Sequence, residues 1–135
     1  IQLHGEESPE RVEQIAKKTK VPLIKAIGVE KESDLLSIKS YEKSVEYILL
    51  DSKSKESGHL KGGRGISFNW NIIKGFNFNK PWFLAGGLNA NNVMDAMRIT
   101  GAKMLDVSTG VETKPGKKSF DKMRKFIGRA NGEFI

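Results

Sequence analysis

Two glycine-bearing segments stand out for the chemistry they could host: Ala85-Gly86-Gly87-Leu88-Asn89 and Ser108-Thr109-Gly110-Val111. Glycine lets a backbone come close to an anion and present its N–H groups. A helix starting just after such a loop adds its positive dipole end. A lone Gly-Gly is more often a tight turn, but two such loops, each after an apolar run, favour a bound phosphate group at Gly86, Gly87, Ser108 and Gly110. Asp51 ends the run Val45-Glu46-Tyr47-Ile48-Leu49-Leu50. A carboxylate there is costly unless it is solvated, paired or functional, the alternative being an Asp that caps the following loop. Asp106 raises the same question after Met104-Leu105, and His4 follows Ile1-Gln2-Leu3. That histidine could reach a substrate or be a satisfied structural residue.

Other chemistries lack their residues. The chain has no cysteine and only two histidines, His4 and His59, far apart in sequence. Disulfides, thiolate metal sites, a histidine-built zinc site and a Ser-His-Asp system are therefore not expected, and a reducing, cytoplasmic setting is. The charge of +7, from 23 Lys and Arg against 16 Asp and Glu, would suit a polyanion partner. The lysines are spread along the chain without a nucleic-acid motif, so the reading is a solvated basic surface with some attraction for a phosphorylated small molecule. No apolar run approaches the roughly 20 residues that span a bilayer, so no membrane partner is expected. The opening residues give no expectation of a signal peptide.

The elements that must position these residues alternate. Ser8-Pro9-Glu10 starts a helix with Val12, Ile15 and Ala16 at helical spacing, ending near Thr19. Val21 to Val29 reads as a strand, and Ser33-Asp34 as the cap of a helix burying Leu35, Leu36 and Ile38. Val45 to Asp51 is a nearly continuous apolar strand, as a parallel strand covered on both faces should be. A polar loop follows from Ser52 to Ser67, long enough to suggest function. A short helix over Asn69 to Lys74 then leads to the strand Trp82–Gly87. Asn89-Ala90-Asn91-Asn92 caps a helix with Val93, Ala96 and Met97 inward, Met104 to Ser108 is the last strand, and Ser119 to Ile127 the last helix. Five βα repeats in one domain over residues 1–135 imply parallel strands joined by right-handed crossovers. An open doubly wound sheet and a closed barrel both fit the strands. The two loops favour the barrel, whose phosphate sites follow its last two strands.

These motifs resemble those of the phosphoribosylanthranilate isomerase family of tryptophan biosynthesis. The matching segments are Ile1-Gln2-Leu3-His4-Gly5-Glu6, Leu49-Leu50-Asp51, Gly62-Gly63-Arg64-Gly65 with Phe68-Asn69-Trp70, Leu84-Ala85-Gly86-Gly87-Leu88-Asn89, and Asp106-Val107-Ser108-Thr109-Gly110-Val111-Glu112 with Pro115-Gly116-Lys117. The Gly-Gly loop is shared with other phosphate-binding barrels, whereas the first and last segments together are specific. The chain departs in having Asn69 where an Asp is usual, and Arg64 in a loop usually richer in small residues.

The resemblance implies an α/β fold of the (β/α)8 TIM-barrel family, here a partial barrel of about five βα units equivalent to strands 4 to 8. It implies no metal and no organic cofactor, and conversion of N-(5-phosphoribosyl)anthranilate to its 1-deoxyribulose isomer by an Amadori rearrangement. Asp51 would be the general acid that protonates the ribose ring oxygen. His4, Asp106 and Arg64 would contact substrate, and Gly86, Gly87, Ser108 and Gly110 would hold its phosphate. The family's first three βα units, with a cysteine base on the first strand, have no counterpart, so activity would need a complementing segment. Five strands leave two unpaired edges, which predicts self-association through them. The alternative is a phosphate-binding barrel piece without catalysis. Indole-glycerol-phosphate synthase fits less well, because its lysine and glutamate pattern is not found.

Overall fold

The strands Gln2–Leu3 (β1), Ile24–Val29 (β2), Tyr47–Ser52 (β3), Trp82–Leu84 (β4) and Met104–Leu105 (β5) form one sheet in the order β1-β2-β3-β4-β5, with every neighbouring pair parallel. The computed structural model describes residues 1–53 and 67–133. The order never reverses, so the sheet has no switch point of the doubly wound kind. The helices agree. Pro9–Thr19 (α1), Ile38–Tyr41 (α2), Val93–Thr100 (α3) and Phe120–Ala130 (α4) lend Val12, Ile38, Val93, Ala96 and Phe126 to a single core with Ile27, Val29, Ile48, Leu50 and Leu84 of the sheet. Ala26, Leu49 and Ala85 form a second cluster with Ile24 and Phe83. Because side chains alternate across a strand, this second cluster marks the opposite face, which carries no described helix. Helices on one face of a sequentially ordered parallel sheet decide against the doubly wound alternative.

Local chemistry explains where the elements begin and end. Ser8 accepts from the Arg11 N–H, Pro9 opens α1, and Lys20 closes it in the left-handed conformation at φ 56°. The strand expected from Val21 starts only at Ile24. Pro22 has no N–H to give a ladder, and its carbonyl takes the amino terminus of Ile1 at 2.8 Å. The helix expected from Ser33-Asp34 is a 3-10 turn over Glu32–Ser37 running into α2. Its period of three places Leu35 and Ile38 on one buried side, while Leu36, expected inside, is 71% exposed. Asp34 still stops the preceding backbone, accepting from the Glu30 and Lys31 N–H groups at 2.9 Å each.

The short helix expected over Asn69 to Lys74 contracts to a 3-10 turn at Trp70–Ile72, capped by Asn69. The last strand, expected to reach Ser108, pairs only through Leu105. Asp106 still donates its N–H to the Leu84 carbonyl, and the chain then turns into the 3-10 segment Thr109–Val111. After it comes an antiparallel hairpin absent from the sequence reading, Glu112–Lys114 (β6) with Lys117–Lys118 (β7), reversing at Pro115-Gly116.

Candidate functional site at the strand ends

Leu3 packs into the helix-side core, so alternation turns His4 to the opposite face, where Ala26, Leu49 and Ala85 also lie. The same rule sends Gly28 and Asp51 there. His4 Nε2 stands 3.6 Å from Asp51 Oδ2, although β2 runs between their strands. The contact can form because, level with these two residues, β2 offers only Ala26 and Gly28 on that face. Gln2 brings its amide nitrogen within 3.1 Å of His4 Nδ1. With that amide donating, Nδ1 is the acceptor and the ring proton sits on Nε2, towards the carboxylate. Asp51 is held from behind as well: Oδ1 accepts from the Ser52 N–H at 2.7 Å and its hydroxyl at 3.4 Å. The Asp51 side chain remains 23% exposed, open to a ligand but fixed in place.

The Gly-Gly loop lies directly against this carboxylate. Gly86 has φ +88°, a region L side chains rarely adopt. A Cβ there would stand 2.6 Å from the Ser52 nitrogen and 2.9 Å from Asp51 Oδ1. Only glycine lets the loop pass so near the end of β3. The second loop meets the first: a Cβ on Gly110 would collide with the Leu88 carbonyl oxygen. The two glycine loops and Asp51 therefore form one continuous surface.

Asn92 braces the first loop. Expected as part of a cap, its side chain does not cap α3. Its Oδ1 accepts from the Asn89 N–H at 2.8 Å, and its Nδ2 donates to the Gly87 carbonyl at 2.9 Å. The Gly87 carbonyl is thereby drawn to the helix side. Within the described chain no backbone acceptor takes the Gly87 or Leu88 N–H. Asp106 is exposed at the end of β5, one strand beyond β4 from Asp51 and so about 10 Å across the sheet. Ser108 is exposed beside it in the second loop. Arg64 lies outside the described residues. Among the described residues no group of three or more His, Cys, Asp or Glu is placed to hold a metal.

Two lysines that sequence reasoning missed stabilise the loops. Lys25 points to the helix side and is almost fully buried. Its Nζ donates to the Gly5 carbonyl and to Glu7 Oε2, both at 2.8 Å, fastening the segment that follows His4. Tyr41 adds a hydrogen bond from its hydroxyl to the Glu7 carbonyl. Burial pushes the Glu7 carboxyl up, yet hydrogen bonds from Lys25 and backbone N–H groups, with the Lys25 charge, leave it below its ordinary value. Lys118 of β7 reaches back to Ser108 and Glu112. A signal for it was available: Glu112 and Lys118 flank Pro115-Gly116, a turn dipeptide, so a hairpin would set them face to face.

The N-(5'phosphoribosyl)anthranilate (PRA) isomerase family matches residues 1–129. The chain belongs to this family. It is 42% identical over 135 residues to an N-(5'-phosphoribosyl)anthranilate isomerase of Paracoccus denitrificans, covering all of this chain and 63% of that relative. It thus spans about three fifths of that PRA isomerase. The phosphoribosyl anthranilate isomerase of Thermotoga maritima matches in structure with a TM-score of 0.79 and 39% identity, over 97% of this chain and 60% of the other. A phosphoribosyl anthranilate isomerase (PRAI) solved in complex with reduced 1-(o-carboxyphenylamino)-1-deoxyribulose 5-phosphate matches with a TM-score of 0.74 and 36% identity, over 97% and 58%. This chain, an α/β fold with a five-stranded parallel sheet, superposes on these PRA isomerase structures over 97% of its own length.

Proposed function

We propose that this chain provides the general acid and the phosphate anchor for isomerisation of N-(5-phosphoribosyl)anthranilate in tryptophan biosynthesis. The observation that carries the proposal is the packing of Gly86 against Asp51. It sets a backbone anion cradle beside a held, part-exposed carboxyl group. The five strands stand for strands 4 to 8 of an eight-stranded barrel, in a single domain. Their loop ends then form the site, and the phosphate lies after the last two.

In this reading Gly86, Gly87, Ser108 and Gly110 hold the 5-phosphate, while Asp106 contacts sugar hydroxyls and Arg64 the substrate. Asp51, protonated, gives its proton to the ribose ring oxygen as the C1–O bond breaks. The anthranilate nitrogen lone pair forms the C1=N bond that replaces it. A base then takes the C2 proton, and the resulting enol-amine settles to the 2-ketone with a proton returned at C1. His4 contacts substrate and holds Asp51 in line. The family's cysteine base has no counterpart in a chain without cysteine. Acid and anchor are what this chain contributes, and a complementing segment would bring the base. Among the described residues β1 and β5 are the two edges of the sheet, and they suit such a segment or a second copy of the chain.

The test is an isomerase assay of this chain, alone and mixed with a separate polypeptide carrying the family's first three βα units. Turnover in the mixture is expected. Asp51→Asn should lower it by about a hundredfold or more, the range for a general acid. Undiminished turnover would sink that assignment. Phosphate binding without turnover in either sample would favour a non-catalytic phosphate-binding protein instead.

A further inference from the structure

The hairpin after β5 reaches back to the second glycine loop through one side chain. Lys118 Nζ lies 3.0 Å from the Ser108 carbonyl oxygen, 3.2 Å from Ser108 Oγ and 2.8 Å from Glu112 Oε1. An ammonium group has three protons, and these three acceptors use them all. Lys118 therefore has none left to donate directly to an anion.

Its effect is on Ser108. That residue precedes a 3-10 turn, but its side chain makes no capping bond. A hydroxyl has one proton and two lone pairs. With Oγ accepting from Lys118, the hydroxyl proton is turned away from that ammonium and left free for another acceptor. A cation on the oxygen also polarises the O–H bond, making the hydroxyl a stronger donor.

The brace is itself braced. Glu112 is held below the ordinary carboxyl value by its hydrogen bond from Lys118, against a smaller upward push from burial. Lys122, in the first turn of α4, donates to the Glu112 carbonyl at 2.6 Å. The Ser119 N–H donates to the Val111 carbonyl at 2.8 Å and closes the hairpin onto the loop.

We propose that Lys118 is a positioning residue for phosphate binding, fixing the Ser108 hydroxyl with its proton aimed at the anion while making no contact with it. The proposal rests on the phosphate site argued above. It assigns specificity for an acceptor-rich, fully ionised ligand head to a residue outside the glycine loops.

The experiment is a titration of the intact chain with inorganic phosphate, followed by amide shifts of Gly87 and Gly110. The proteins are wild type, Gly87→Val, Lys118→Met, Lys118→Arg, Ser108→Ala and the Lys118→Met/Ser108→Ala double variant, with melting curves for each. Lys118→Met should weaken binding about five- to tenfold, the net worth of one ordinary hydrogen bond, because the hydroxyl stays but is no longer held in line. Lys118→Arg should restore most of that loss. In the Ser108→Ala background Lys118→Met should cost less than about twofold, because the hydroxyl it positions is gone. Equal loss in both backgrounds would show a merely structural lysine and overturn the proposal, as would wild-type affinity in Lys118→Met. Wild-type shifts that vanish in Gly87→Val would leave the phosphate site standing even then. If wild type itself shows no saturable shift, the phosphate site fails, and the proposal with it.

Discussion

Replacing Lys25 by Met removes the charge beneath the segment that carries His4 while keeping the length of the side chain. Lys25 is 2% exposed, and Met fills a similar volume, so little cavity cost is expected. Two hydrogen bonds of 2.8 Å disappear, one to the Gly5 carbonyl and one to Glu7 Oε2. The lysine also sits 5.4 Å from the Tyr41 ring centre. A hydrogen bond to a charged group contributes about 1.5–3 kcal/mol, and the ammonium makes both of these of that kind, while the cost of burying it offsets part of the sum. Glu7 is 24% exposed and keeps the Gly5 N–H as a donor, which trims its share further. The expected loss at neutral pH is therefore about 2–3 kcal/mol, or roughly 6–12 °C in melting temperature for a chain of this size.

The sign of the pH dependence follows from Glu7, whose carboxyl is lowered from 4.5. Burial raises it, and the Lys25 hydrogen bond is the first of the influences that outweigh burial. A lowered carboxyl stabilises the fold above its unfolded value and loses that contribution as pH falls through its folded value. In Lys25→Met the main lowering partner is gone. The gap between wild type and variant should thus be widest near neutrality and narrow below about pH 4.5. Thermal unfolding followed by circular dichroism at about pH 7 and about pH 3.5 reads both quantities. An equal gap at the two values would mean that the ammonium–carboxylate contact contributes nothing. A variant more stable than wild type at neutral pH would mean that desolvating Lys25 costs more than its partners return.

Gly86→Ala forces a side chain into φ +88° and onto the Ser52 nitrogen and Asp51 Oδ1. It should cost about 2–3 kcal/mol in denaturant unfolding, and unchanged stability would refute the packing argument. Sedimentation velocity should show self-association that rises with concentration, because among the described residues β1 and β5 are paired on one side only. A single monomeric species across the range would count against it.

The sequence by itself determined the alternation of elements, the two glycine loops and the acid at the end of β3. Each is written locally: the Ser8-Pro9 start, the unbroken apolar run before Asp51, and glycines at 86, 87 and 110. The family resemblance was equally legible, and the match over residues 1–129 agrees with it. The tertiary structure decided what contacts what. Sequence could name His4 and Asp51 as two strand-end residues, but not that Ala26 and Gly28 let them meet across β2. It placed Leu36 inside because α-helical and 3-10 periods cannot be separated over six residues. It passed over Lys25 and Lys118, since a lysine looks like surface until a strand or hairpin carries its ammonium to fixed oxygens. Local propensity sets an element's kind, while a site depends on distances between elements far apart in the chain. Asp51 was a candidate in the sequence; Gly86 packed against it joins it to the glycine loops in one surface.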